Sequence, residues 1–317
     1  MAVVLSSALV SLVLAWLVRK RAVLDVPNDR SAHRSPVPTG GGIGIFIATG
    51  LVVLALVWGK HGWPHPYPLL LGLALLLMLS GWADDRLNLP VALRLSLYVM
   101  VCAVAVLRLL PDQSVWVWGM ALLYSLWMVN LFNFMDGIDG IAASQAAFVL
   151  LASACLSWAL GGEPAFHLFC SVVAGACLGF LYWNWAPARL FMGDAGSVPL
   201  GFLLAALALW GEASGSLPLA TSLLLSAVFI SDTSYTLACR ALRRERITQA
   251  HSQHLYQRLS RYWGRHDRVV LLMLAYNLCW LFPLAALATV FTPFGTICLV
   301  LAYAPLLALL LKAGKLP

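Results

Sequence analysis

Long apolar runs, separated by short polar or glycine- and proline-rich breaks, dominate the chain. Eleven of them approach the roughly 20 residues that a helix needs to cross a bilayer core of about 30 Å. They begin near Val3, Gly42, Leu69, Ala92, Val115, Ile141, Phe166, Ser197, Leu219, Val269 and Gly295. The pattern predicts an all-α, polytopic integral membrane protein with about eleven transmembrane helices. The third and eighth runs are read as the shortest, so ten spans is the alternative. Residues 1–317 are read as a single membrane-embedded domain, and 240–268 as a loop that carries an amphipathic helix.

Composition excludes a soluble domain: 62% of residues are hydrophobic and 10% charged, against roughly 25% charged in soluble proteins. The first charges, Arg19, Lys20 and Arg21, follow the first apolar run instead of preceding it, which predicts a retained helix and not a cleaved signal. Alternating eleven spans from an outside N-terminus puts eighteen of the twenty Lys and Arg residues, all but Lys60 and Arg108, on one side. By the positive-inside rule that side is cytoplasmic and the N-terminus periplasmic. Ten of the thirteen carboxylates lie there too. The net charge of +7 thus reflects topology, with contact to anionic membrane lipids secondary, and does not argue for nucleic acid. Seven cysteines without ligand spacing read as small core residues.

Five segments on the charged side carry candidate chemistry. Asn28 to Gly42 includes Arg30 and His33 and ends in three glycines that open the second helix, where free backbone N–H groups suit a phosphate. Asp84 and Asp85 end the third apolar run. Carboxylates there oppose the helix dipole, so a cation, a metal or Arg86 should offset them. Two adjacent acids can divide labour, one screening a cation and the other accepting a proton. Asn130, Asn133, Asp136 and Asp139 recur at a spacing of three, which stacks them on one face if the helix continues. Gly137 and Gly140 point instead to a tight turn.

The fourth segment, Asn184 to Ser197, holds Arg189, Phe191 and Asp194. Gly193 and Gly196 bracket that acid in a loop shape able to aim it at a cation. The fifth, Arg240 to Arg268, has Leu255, Leu259, Tyr262 and Trp263 at helical spacing, as in an interfacial helix. His251 and His254 lie at i and i+3 and can donate to phosphate oxygens when protonated. Hard carboxylate oxygens suit Mg²⁺ or Mn²⁺, and anion-binding groups beside a metal site at a membrane surface point to phosphoryl transfer onto a lipid phosphate.

These five motifs, in this order, resemble the polyprenyl-phosphate N-acetylhexosamine-1-phosphate transferase family over nearly the whole chain. The resemblance implies that undecaprenyl phosphate attacks the β-phosphorus of a UDP-N-acetylaminosugar with Mg²⁺, giving a lipid diphosphosugar and UMP. It matches Asp194 to a magnesium ligand, Asp84 to the acid that deprotonates or positions the lipid phosphate, and Asp85 to its catalytic partner. Asn133, Asp136, Asp139, Asn184 and Phe191 match positions lining the nucleotide and diphosphate pocket, and His251 and His254 match the family's histidine motif. Asp136, Asp139 and the two histidines are counted with the catalytic group; Arg30, His33 and Arg189 are added as substrate-binding residues.

The last loop reads His251-Ser-Gln-His254 where the peptidoglycan branch has consecutive histidines, and Arg30 and His33 replace a lysine-rich stretch. Both departures favour an O-antigen-initiating enzyme of the bacterial inner membrane, with UDP-GlcNAc, UDP-FucNAc or UDP-QuiNAc as donor; a homodimer is left open. The rival reading is a transporter or flippase, whose site would sit near the midplane. Asp232, in the ninth run, is the acid closest to that reading, unless it pairs with Arg240 or Arg243 at a helix end.

Overall fold

A computed structural model describes residues 1–25, 36–58, 65–245 and 251–313. Each apolar run forms a helix or a helix pair. Helix α1 (Ala2–Arg19) leads into a two-residue antiparallel ladder, β1 (Leu24–Asp25) with β2 (Val37–Pro38), and then α2 (Gly42–Val57). There follow α3 (Tyr67–Leu87), α4 (Val91–Leu109), α5 (Val115–Met135), α6 (Ile141–Ala159), α7 (Pro164–Asn184) and α8 (Asp194–Ala213). Helices α9 (Leu219–Leu225) and α10 (Ala227–Leu242) meet at a 73° bend. Beyond them come α11 (Leu255–Trp263), α12 (His266–Tyr276), a π turn, α13 (Phe282–Val290), a 3₁₀ turn and α14 (Gly295–Ala313).

Among the described residues nine helices are long and apolar enough to cross a membrane, and the bent α9–α10 pair makes ten. The eleventh run is α2, whose 16 residues extend about 24 Å at 1.5 Å per residue. The short run is therefore the second: the third and eighth form helices of 21 and 20 residues. The protein is an all-α, multi-pass membrane protein, with the small β1–β2 ladder as its one departure among the described residues.

Breaks fall where backbone chemistry requires them. Pro90, Pro164 and Pro218 stand at or beside helix starts, where a missing N–H costs nothing. Asn88 ends α3 in the left-handed region, its N–H donating to Asp84 O. At the α9–α10 bend the freed carbonyl of Leu225 accepts from Gln145 Nε2 at 3.0 Å, and Gln145 Oε1 accepts from Asn277 Nδ2 at 2.6 Å. Polar groups within an apolar bundle need such partners, so this amide pair ties α6 to both the bend and the π turn.

Helix α8 is the hub, buried from Ala195 to Gly211, with α3 and α5 packed on it. Helix α1 lies along α7, where Ser7 Oγ donates to Val172 O and Trp183 Nε1 donates to Leu12 O, which makes it an integral element of the bundle. At Gly81 the backbone of α3 touches the backbone of Asp194 so closely that a Cβ could not fit. That contact sets the acidic end of α3 beside the start of α8. Of the seven cysteines, Cys102, Cys170, Cys177 and Cys298 are buried as expected; Cys155 and Cys279 are exposed on the bundle's flank, and Cys239 lies between.

Candidate active site

One end of the bundle collects the C-terminal turns of α1, α3 and α5 and the starts of α2, α4 and α8. Four of the expected acids and one asparagine meet there. Helix α5 stops at Met135, and residues 136–140 form the tight turn that Gly137 and Gly140 implied. Asn133, in the last turn of α5, donates through Nδ2 to Asp194 Oδ1 at 2.7 Å and to Ser197 Oγ at 3.1 Å. Gly193, at φ +71°, takes a conformation that side chains avoid, and it turns Asp194 into the first turn of α8, where the dipole favours an anion. Asp194 N then donates to Asp85 Oδ1 at 3.2 Å.

Asp84 is buried and has two partners. Its Oδ1 accepts from Leu89 N at 2.7 Å, and its Oδ2 pairs with Arg94 in the first turn of α4. Arg94 NH1 also lies 3.7 Å from Asp194 Oδ2 and so links two acids. Arg86, the partner considered for the acidic pair, instead lies over the Trp82 ring, 4.4 Å from its centre. Asp136 completes the group: removal from water, then the charges of Asp194, Asp85 and Asp139, push its carboxyl well above the usual carboxylate range.

A second set of expected residues holds loops together. Asn184 is buried; its Oδ1 accepts from Gly140 N at 3.1 Å and its Nδ2 donates to Leu190 O at 3.0 Å. Both ends of its amide are engaged by backbone, so Asn184 ties the 136–140 turn to the loop after α7. Asp139 accepts from Ala188 N at 3.1 Å and lies 3.1 Å from His266 Nδ1. Arg189 stacks on Tyr182 and Trp183 at the surface and donates to Tyr182 O, away from the carboxylates.

Phe191 zips the fourth segment to the first through its backbone: its N donates to Pro38 O and its O accepts from Gly41 N, each at 2.8 Å. Gly42 N likewise donates to Met192 O. The Gly41 and Gly42 N–H groups expected to be free for phosphate are thus engaged, because two loops pair there. Arg30 and His33 lie outside the described residues.

The fifth segment reaches the cluster through a residue that spacing did not single out. Buried Tyr256 donates its OH to Phe134 O at 2.9 Å, against Gly137. Tyr262, counted in the apolar stripe of α11, is 66% exposed, because α11 turns Tyr256 and Ser260 inward. Asp232 pairs with neither Arg240 nor Arg243: its two oxygens accept from Leu255 N and Tyr256 N at 2.9 and 3.1 Å and cap α11. Arg240 pairs with Glu245 at 2.9 Å. With Asp232 so occupied, the transporter reading loses its best acid.

His254 is buried, with Nδ1 3.4 Å from Asp232 Oδ1 but not aligned for a hydrogen bond. His251 is held down to about 4 by burial first, then by His254 and Arg240. With no anion bound beside it, His251 is neutral at physiological pH. The folded protein refuses a proton that the unfolded chain binds near 6.5, so this histidine lowers stability as pH falls from about 6.5 toward 4. His251→Gln is expected to flatten the decline of Tm between pH 7 and pH 4.5; equal slopes for variant and wild type would dismiss the effect.

Among the described residues no three His, Cys, Asp or Glu side chains form a ready metal cage. Magnesium, however, is commonly held by one or two carboxylates plus substrate phosphates. Asp85, whose carboxylate accepts from the backbone N–H of Asp194, and Asp194 itself, with Asp136 feeling both charges, fit such a partial site.

The chain matches the family model for glycosyl transferase family 4 over residues 67–212, which spans every member of this cluster. It is 33% identical over 226 residues to phospho-N-acetylmuramoyl-pentapeptide-transferase of Heliobacterium modesticaldum, covering 63% of this chain and 67% of that protein. The chain belongs to the polyprenyl-phosphate N-acetylhexosamine-1-phosphate transferase family. Other members of the family align over more of the transferase. The probable undecaprenyl-phosphate N-acetylglucosaminyl 1-phosphate transferase of Bacillus subtilis is 27% identical over 300 residues, 89% of this chain and 82% of its own. The decaprenyl-phosphate N-acetylglucosaminephosphotransferase of Mycobacterium tuberculosis is 29% identical over 302 residues, 81% of this chain and 74% of its own.

Arg94 and Tyr256 are the residues at the site that spacing and motif do not mark. Arg94 carried one usable signal, a cation one helical turn after Pro90 and close behind two acids.

Proposed function

We propose that this transferase moves an N-acetylaminosugar 1-phosphate from a UDP-sugar onto undecaprenyl phosphate and releases UMP. The observation that carries the reading is the junction of Asp85, Asn133, Asp194 and Arg94 at one end of an apolar bundle. UDP-GlcNAc is the favoured donor, since the relatives named for N-acetylglucosamine align over most of the chain. UDP-FucNAc and UDP-QuiNAc are the alternatives, and the product initiates O-antigen or a related envelope polysaccharide. The clustering of Lys and Arg at the carboxylate end favours placing that end at the cytoplasmic face of a bacterial inner membrane, with the N-terminus periplasmic.

A phosphate monoester has its second pKa near about 6, so at neutral pH the acceptor is largely a dianion and needs orientation more than deprotonation. Its oxygen bonds to the β-phosphorus as the bond from that phosphorus to the bridging oxygen breaks, and UMP leaves with the bridging oxygen. Arg94, steadied by Asp84, supplies a cation beside the reacting phosphates. Asn133 orients Asp194, and Asp194 with Asp85 would hold Mg²⁺ or Mn²⁺, which neutralises diphosphate charge when bound.

The test is purified protein with undecaprenyl phosphate, Mg²⁺ and each donor, UDP-MurNAc-pentapeptide included, following UMP and lipid product by mass spectrometry. UMP and lipid-diphospho-GlcNAc in equal amounts, abolished by EDTA and restored by Mg²⁺ or Mn²⁺, are expected. Product from the pentapeptide donor alone would overturn the donor assignment, and turnover undiminished in EDTA would remove the metal.

A further inference from the structure

A basic pocket of about 230 Å³ opens between α10 and α11. Arg243, Arg258 and Arg261 line it together with Tyr235, Ser252 and Gln253, and among the described residues no carboxylate belongs to the lining. Glu245 stands beside it: its Oε2 accepts from Gln253 Nε2 at 3.3 Å and pairs with Arg240 NH1 at 2.9 Å, so its charge is matched by a cation outside the pocket. Arg261 NH2 donates to Ser252 O at 2.9 Å and ties α11 to the segment before it. Three like charges around one pocket repel, and an anion among them turns that repulsion into attraction.

The pocket is separate from the active site. Helix α11 turns Tyr256 toward Phe134 and Gly137, at the carboxylate end. Arg258 and Arg261 follow it by two and five positions, roughly 200° and 140° round a helix of about 3.6 residues per turn, so they leave α11 on its other side. None of Asp84, Asp85, Asp136, Asp194 or Arg94 lines the pocket.

Its depth points to lipid. Tyr235 and Cys239 belong to α10, the second half of a bent span, and Arg243 is the first residue beyond that helix. Leu242, next to Arg243, is 85% exposed, and Tyr262, next to Arg261, is 66% exposed. Exposed apolar side chains beside cations, where a span ends, suit the boundary between acyl chains and headgroups. Guanidinium forks match the oxygens of a phosphodiester, and basic pockets between helices on the positively charged side of a membrane protein take anionic headgroups. The volume lies below the roughly 300–1,000 Å³ of sites for whole small molecules, which suits one headgroup and is too small for a nucleotide sugar.

We propose that this pocket holds the headgroup of an anionic phospholipid, phosphatidylglycerol in the simplest case. The phosphodiester oxygens accept from Arg243, Arg258 and Arg261, the glycerol hydroxyls meet Ser252 and Gln253, and the acyl chains leave past Leu242 into the bilayer. A lipid bound there holds α11 to the membrane surface from the side away from Tyr256. The assignment is independent of the transferase reading.

The experiment uses the full chain in nanodiscs of phosphatidylcholine with a minor fraction of phosphatidylglycerol, and native mass spectrometry reads which lipid is retained. Wild type is expected to hold phosphatidylglycerol about tenfold or more tightly than phosphatidylcholine. Arg243→Gln with Arg258→Gln should reduce that preference to about twofold or less. Arg265→Gln with Arg268→Gln removes the same charge from the following stretch of chain and should leave the preference as in wild type. On the unaltered chain, phosphatidylglycerol with a photoreactive headgroup is expected to label residues 235–243 and 252–261.

Equal retention of the two lipids by wild type, an equal loss in both variants, or label absent from both segments would overturn the proposal. Displacement of phosphatidylglycerol by equimolar inorganic phosphate would assign the pocket to a soluble anion and overturn the lipid assignment as well. If the pocket variant does not fold, labelling of the wild type decides.

Discussion

Asp194→Asn is expected to lower kcat by roughly 10³-fold or more, about 4 kcal/mol of transition-state stabilisation, while leaving folded protein in the membrane. The substitution keeps size and shape, so the Asn133 amide still finds an oxygen to donate to; what disappears is the charge. That charge faces Arg94 at 3.7 Å and, through its backbone, adjoins Asp85. Loss of an anion from the first turn of α8 costs about 0.3–1 kcal/mol of helix-dipole interaction, but repulsion from Asp85 and Asp136 is relieved at the same time. The melting temperature should therefore hold or rise slightly, and Mg²⁺ should no longer stimulate turnover. Turnover close to wild type would remove Asp194 from the metal role, and loss accompanied by a lower melting temperature would assign it to folding.

Arg94→Ala is expected to reduce kcat/KM by roughly 10²-fold or more. Arg94 is the cation shared by Asp84 and Asp194, and its removal leaves buried Asp84 with only the Leu89 N–H. Breaking a buried pair costs up to about 3–5 kcal/mol, and the partial exposure of Arg94 places the stability loss well below that. The double variant Asp84→Asn, Arg94→Ala separates two roles for Asp84. If it serves to hold Arg94, the double variant is no slower than Arg94→Ala alone, with a coupling of about 1–3 kcal/mol between the sites. If Asp84 itself takes a proton from the acceptor, the two losses add. The geometry favours the first outcome, since both carboxylate oxygens of Asp84 already have partners.

Much of this was legible in the residue order. Apolar runs of about 20 residues can satisfy their backbone in lipid only as helices, so the helical class, and the end at which the acids gather, follow from hydropathy and charge. Gly137 and Gly140 announced the turn after α5, because a helix that must stop needs residues free of a Cβ penalty. Gly193 did the same before Asp194. The five polar segments were visible because ionised groups beside lipid have few structural explanations.

The roles within those segments were not legible, because they depend on which loops meet. Asn184 looks like a pocket residue by type, yet the packing of the 136–140 turn against residues 184–190 engages both ends of its amide. The glycines at the start of α2 suggested an anion cradle until residues 191–192 took their N–H groups. His251 and His254 looked like a charged pair, but burial beside Arg240 and Asp232 leaves one neutral and the other enclosed. Asp232, deep in the ninth run, reaches across to cap α11, which no local pattern encodes.

The sequence by itself determined the membrane, the order of apolar runs and the set of acids available for chemistry, because each of these follows from local composition and period. Tertiary structure alone decided which acids share a cation, which amides only hold backbone, and that a pocket lined by three arginines opens between α10 and α11. Those outcomes depend on which separate segments meet, as Arg94 meets Asp194 and Gly140 meets Asn184, and such contacts leave no period in the chain.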